Sequence, residues 1–133
     1  MYHSAPVNQF YSPRLRVAQG NSTLTMEVRE EFFHAAGALH GSVYLKAPDD
    51  AAFFAANSLE RERFVLTASF TTYLTKPVTS GTLRSVGRVA SRTRSQFISE
   101  SVLYDTQGDE VGRGSGIFVR SRIRLADTPG YAP

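Results

Sequence analysis

Polar and apolar positions change their period along this chain, and the change marks out its elements. In residues 22–30, STLTMEVRE, Leu24, Met26 and Val28 fall on one side and Thr23, Thr25 and Glu27 on the other. That two-residue alternation predicts a half-buried strand. Residues 36–58, AGALHGSVYLKAPDDAAFFAANS, are small and apolar in the manner of a helix, and the charged turn LERER (59–63) closes it. Everything beyond reads as sheet. Residues 63–75 are rich in β-branched and aromatic side chains, and Pro77 and Ser80-Gly81 follow as a turn. Residues 82–92 alternate Leu83, Ser85 and Gly87 against Arg84, Val86 and Arg88, and residues 95–105 alternate Phe97, Ser99, Ser101 and Leu103 against Ile98, Glu100, Val102 and Tyr104. TQGDE (106–110) is a hairpin turn, and a last strand over 110–125 carries three closely spaced glycines.

The predicted order is strand, helix, four strands: an α+β domain with a central helix against a five-stranded, mostly antiparallel sheet. Residues 1–21 are expected as an N-terminal arm, partly irregular, 22–125 as the domain, and 126–133 as a loose tail. One helix covers one face of such a sheet, which leaves apolar surface and an edge strand open and predicts pairing with a second copy.

Composition narrows the class. With 133 residues the chain can bury one core, and it has no cysteine for disulfides or thiolate ligands. No apolar run is long enough for a membrane span, and MYHSAPVNQF lacks the basic-then-apolar order of a leader. The expectation is a cytoplasmic protein. A net charge of +3 is modest for a nucleic-acid binder. The local arginine cluster Arg84, Arg88, Arg92 and Arg94 suits phosphate oxygens as well as it suits a solvated strand edge.

The chemistry concentrates in residues 34–50. His40 and Gly41 stand at a plausible helix start, where backbone N–H groups have no intrahelical acceptor. Gly41 would let a carbonyl oxygen approach such an N–H closely. Asp49, further along, is a candidate general base or nucleophile. Pro48 leaves two readings open. A helix continuous from Gly41 would lose the bond from residue 48 to the Tyr44 carbonyl and bend there. A helix beginning near Pro48 would make Asp49 and Asp50 ordinary first-turn carboxylates. The spacing of His34, His40 and Asp49 matches no compact metal pattern, so no metal is expected. Phe32, Phe33, Phe53, Phe54 and Tyr73 offer an aromatic pocket, although residues at such spacing more often form core.

With these residues in place the chain resembles a known family. GALHGSVYLKAPDDAAFFAANS is similar to the signature of hotdog-fold acyl-CoA thioesterases of the phenylacetic-acid-pathway (PaaI-like) type, in which an acidic residue follows the histidine by nine positions, as Asp49 follows His40. TASFTTYLTKP (67–77), with Gly81 beyond it, and YDTQGDEVGRGSGIFV (104–119) resemble that family's later motifs, in order and in register.

The resemblance implies hydrolysis of an acyl-CoA thioester to a free acid and coenzyme A. Asp49 falls on the catalytic carboxylate and Gly41 on the glycine whose N–H polarises the carbonyl. His40 falls beside it, and His34 where relatives carry the Asn or Gln that orients water or substrate. Ser42, Phe53, Thr71 and Tyr73 fall at substrate positions, and Arg84, Arg88, Arg92 and Arg94 become candidates for coenzyme A phosphates. No cofactor is implied beyond the coenzyme A of the substrate, and no nucleic-acid or membrane partner. The implied assembly is a homodimer pairing into a homotetramer, with sites between subunits. Asp49 is expected to face the Gly41 N–H, and Asp50 to have no role. The chain departs from the pattern at Ser42 (usually Gly), Pro48 (Ala), Phe53 (Ser or Thr), Thr71 (Asn) and Thr93 (Gly). Two other readings remain at this point: a non-catalytic acyl- or CoA-binding hotdog protein, and a hotdog hydratase or dehydratase acting on a thioester.

Overall fold

A computed structural model describes residues 1–132. The elements run α1 (Pro6–Tyr11), β1 (Arg14–Ala18), β2 (Asn21–Glu27), a 3-10 turn (Glu30–Phe32), α2 (Gly41–Asn57), β3 (Arg63–Leu74), β4 (Thr82–Arg92), β5 (Gln96–Tyr104), β6 (Glu110–Arg124) and a second 3-10 turn (Leu125–Asp127). The sheet has six strands in the order β1-β2-β4-β5-β6-β3, antiparallel throughout. The predicted strand-helix-four-strand order is therefore present, with one strand more than the five expected.

The additional strand, β1, turns back through Gly20 at φ 79° to pair with β2. It escapes sequence reading because, as an edge strand, it covers little. Of its five residues only Leu15 is even partly buried, so no alternation develops. The first residues, expected as a partly irregular arm, are anchored. Tyr2 is 7% exposed and Asn8 5% exposed, and both are held by polar bonds to α2 or within the segment. Composition alone hid this, because the anchors are hydrogen bonds and not a run of apolar residues.

α2 is one continuous helix from Gly41 to Asn57 with Pro48 inside it, which settles the two readings of the proline. It lies on the face of the sheet that carries Leu24, Met26, Leu83, Phe97, Leu103 and Phe118, all 0–1% exposed. Its contact surface is built of Ala47, Ala51, Ala52, Ala55 and Ala56, each fully buried. Small residues bring the helix backbone close to the strands, and the strands answer with hydroxyls. Ser22 donates to the Ala51 carbonyl, Ser99 to that of Ala52 (2.7 Å) and Ser101 to that of Pro48 (2.6 Å). Gly87 is required by the same approach, because a Cβ there would fall onto the Ala51 carbonyl. The glycines of β6 have a related cause: the Phe70 ring lies over Gly114 and Gly116.

Proline removes the N–H that would bond the Tyr44 carbonyl, a loss that ordinarily breaks or kinks a helix. Here Thr72 of β3 donates its hydroxyl to that carbonyl at 3.0 Å. The orphaned acceptor is satisfied from outside the helix, and the Pro48 ring fills core volume.

Candidate active site

The site begins at the entry to α2. His40 is the N-cap: its backbone is extended (φ −66°, ψ 146°) and its Nδ1 accepts the Ser42 N–H at 3.0 Å. Nδ1 is thus the acceptor, and the proton of a neutral ring sits on Nε2, which faces away from this bond. The Ser42 hydroxyl lies 2.8 Å from the same Nδ1. Gly41, the first helical residue, has an N–H with no intrahelical acceptor, and a Cβ at this position would come into contact with the Leu74 side chain. His34 is exposed in the turn before the helix, where its Nδ1 accepts the Ala36 N–H at 3.1 Å. Pairing of Phe33 with Leu39 puts His34 and His40 on one short loop.

Asp49 projects from the middle of α2 towards β3. Thr67 donates its hydroxyl to Asp49 Oδ1 at 3.1 Å. Burial pushes the Asp49 carboxyl up to about 6, the neighbouring Asp50 adds to the rise, and the Thr67 bond and the Lys46 charge oppose it. Asp49 borders a cavity of about 290 Å³ whose other walls include Tyr2, Phe53, Phe54, Phe64 and Leu66. A larger hollow of about 660 Å³ opens elsewhere, near the C-terminal end of α2, and of the residues singled out in the sequence only Phe54 lines it. The smaller cavity holds the perturbed carboxylate and is the candidate site.

Asp49 and Gly41 stand at different places along α2. Eight residues of helix separate them by about 12 Å. Their neighbours on β3, Thr67 and Leu74, stand about 20 Å apart along the strand. A carbonyl held by one N–H and approached by one activated water spans less than about 10 Å. Within one chain the two groups therefore do not converge on one small site.

Of the other expected residues, Phe53 lies at the Asp49 cavity, with its ring 4.9 Å from that of Phe54 and 5.4 Å from that of Phe64. Thr71 and Tyr73 do not join it. Thr72 between them is the one that reaches the helix, so both point to the opposite face, and Tyr73 is 63% exposed. The arginines are not gathered around Asp49 either. Arg84 stacks over the Tyr104 ring at 4.7 Å, Arg88 pairs with Glu100 at 2.5 Å on the face away from α2, and Arg92 and Arg94 lie at and beyond the end of β4. Among the described residues no three His, Asp or Glu side chains group as a metal site would.

Thr67 was not foreseen. Thr67 lies beside Asp49 while Thr72, further along β3, lies beside Tyr44, and the sequence does not show which strand residue sits at which helix turn. Asp50 also has a place that the sequence did not suggest. It accepts the Tyr2 hydroxyl at 2.6 Å and pairs with Lys46 at 2.7 Å, while Lys46 donates to Asn8 Oδ1 at 2.7 Å.

The profile of the thioesterase superfamily matches residues 36–111, more than half of the chain. The chain belongs to the thioesterase superfamily. Its fold is the hotdog fold, shared with the Escherichia coli PaaI protein of the phenylacetic acid degradation operon (TM-score 0.85, 17% identity, 93% of this chain and 90% of that one). It is also similar to S. sahachiroi AziG (TM-score 0.83, 23% identity, 90% and 98%) and to a thioesterase of Haemophilus influenzae (TM-score 0.80, 14% identity, 89% and 84%). No curated protein matches. Among the described residues of this superfamily member, no helix is long and apolar enough to cross a membrane.

Proposed function

We propose that the chain hydrolyses an acyl-CoA thioester, with Asp49 activating the attacking water or attacking directly. The observation that carries this is the Asp49 carboxylate: it lines an aromatic cavity and titrates at about 6, close to neutral pH, where a general base is most effective. Thr67 holds one oxygen and so orients the other.

The oxyanion donor comes from a second copy, through the Gly41 N–H. β3 supports the pairing. It is an edge strand with no charged residue and no proline from Phe64 to Thr75, and it exposes Leu66, Tyr73 and Leu74 by 43–63%. Such an edge lacks the usual protection against strand addition. Antiparallel pairing of two β3 strands about a two-fold axis between Phe70 and Thr71 would set Thr67 of one copy opposite the partner's Leu74. The Asp49 end of one chain then meets the Gly41 end of the other, which gives two equal sites per dimer. Attack breaks the carbonyl π bond, the N–H holds the resulting oxyanion, and collapse expels the coenzyme A thiolate, which takes up the proton removed from water; on direct attack a water then hydrolyses the acyl–Asp49 anhydride and frees the carboxylate.

The direct test follows free thiol release from a panel of acyl-CoA thioesters. Wild type is expected to turn over at least one class, and Asp49→Asn to lose about a hundredfold or more of that rate. An unchanged rate in Asp49→Asn would remove Asp49 from the mechanism. Tight acyl-CoA binding with no thiol release by wild type would replace hydrolysis with a binding role.

A further inference from the structure

The N-terminal segment folds against α2 beside the Asp49 cavity, and polar bonds hold it there. Tyr2 donates to Asp50, Asp50 pairs with Lys46, Lys46 donates to Asn8, and Asn8 Nδ2 returns to the Tyr2 carbonyl at 2.7 Å. This closed ring of bonds fixes the Tyr2 aromatic ring edge-on against Phe54, with centroids 4.9 Å apart and planes at 76°. Phe54 stands, with Met1, between two hollows, since both residues line the 290 Å³ cavity at Asp49 and the 660 Å³ hollow bordered by Leu15, Val17, Asn57 and Leu125. Tyr2 lines the first only.

Resting on the thioesterase reading above, we infer that the Tyr2–Phe54 ring pair is the end wall of the acyl cavity and sets which acyl groups fit. With the wall in place the cavity is short and aromatic, and its volume is about twice the ~150 Å³ that encloses a benzene molecule. It accommodates an aryl ring with a short linker, or a short acyl chain. An extended chain meets the Phe54 ring, beyond which the larger hollow has room for it. Residues that do no chemistry would thus decide the substrate class, and the Asp50–Lys46 pair would act through them by holding Tyr2.

The test compares kcat/KM for phenylacetyl-CoA and dodecanoyl-CoA in wild type, Phe54→Ala and Tyr2→Ala. Wild type is expected to prefer phenylacetyl-CoA. Phe54→Ala should raise the dodecanoyl-to-phenylacetyl ratio at least tenfold, and Tyr2→Ala should move it in the same direction by less. A proportional fall for both substrates in both variants overturns the inference. If Phe54→Ala does not fold, Phe54→Leu serves with Tyr2→Ala, under the same expectation. If wild type releases thiol from neither substrate, hydrolysis of these thioesters fails, and the wall is read from binding of the same two ligands by titration calorimetry. The affinity ratio must then shift as stated; an unshifted ratio, or no binding at all, overturns the wall.

Discussion

Thr72 donates its hydroxyl to the carbonyl of Tyr44, the one helix carbonyl that Pro48 has no N–H to reach. A strand side chain therefore completes a hydrogen bond that the helix cannot make, and this lets a proline occupy the residue before the candidate catalytic carboxylate. The two positions should be energetically coupled. Thr72→Val is expected to cost about 1–2 kcal/mol with Pro48 present, because a half-buried carbonyl is left unsatisfied. In a Pro48→Ala background the restored N–H takes over, and the cost should fall by at least about 0.5 kcal/mol. A denaturant-melt double-mutant cycle measures the difference, and additive losses would mean that the Thr72 bond is incidental.

Asp49 should show in both the pH profile and the stability. Its carboxylate is the active form, so kcat/KM should rise with an apparent pKa near 6 and level off above about pH 7. Asp50→Asn removes a like charge beside it and should move that midpoint to lower pH.

The sign for stability follows from the same shift. The folded carboxyl keeps its proton to higher pH than the unfolded one, so Asp49 withdraws stability as pH rises from about 4 to about 6. Asp49→Asn should melt higher than wild type at pH 7, and the difference should vanish below about pH 4. A variant that melts lower at pH 7 would show that the charge is not held at a cost.

Subunit mixing tests the division of the site. Gly41→Pro deletes the N–H at a helix position that tolerates proline, and His40 before it already has an extended backbone. Alone it should lose about 10²–10³ in kcat. Refolded together with Asp49→Asn chains at equal amounts, it should recover up to about a quarter of wild-type activity, because half of randomly paired dimers contain one intact site. No recovery from two singly inactive, correctly paired chains would place both groups on one chain.

Gly87 has no room to change. Gly87→Ala puts a methyl into the Ala51 carbonyl, where helix and strand backbones are both held by hydrogen bonds. Overpacking of a close core costs about 1–3 kcal/mol, and the upper end or beyond is expected here because neither backbone can yield. Thermal melts of Gly87→Ala beside Ala90→Ser, a change at an exposed strand position, would measure the cost.

Much of this protein is legible in its amino-acid order. The alternation of Leu83, Ser85 and Gly87 or of Phe97, Ser99 and Ser101 is local, and a strand of period two must bury one such set. Of the serines among them, Ser99 and Ser101 are donors that bind the helix carbonyls. His40, Gly41 and Asp49 could be singled out because helix ends and carboxylates carry their chemistry wherever they stand. Tertiary structure decided what local pattern cannot encode. The placement of β3 along α2 chose the threonine that meets Asp49, a hydroxyl from β3 made Pro48 tolerable, and a ring of polar bonds fastened Tyr2 and Asn8 to α2. Each depends on distances between segments far apart in sequence, and those exist only after the helix has closed on the sheet.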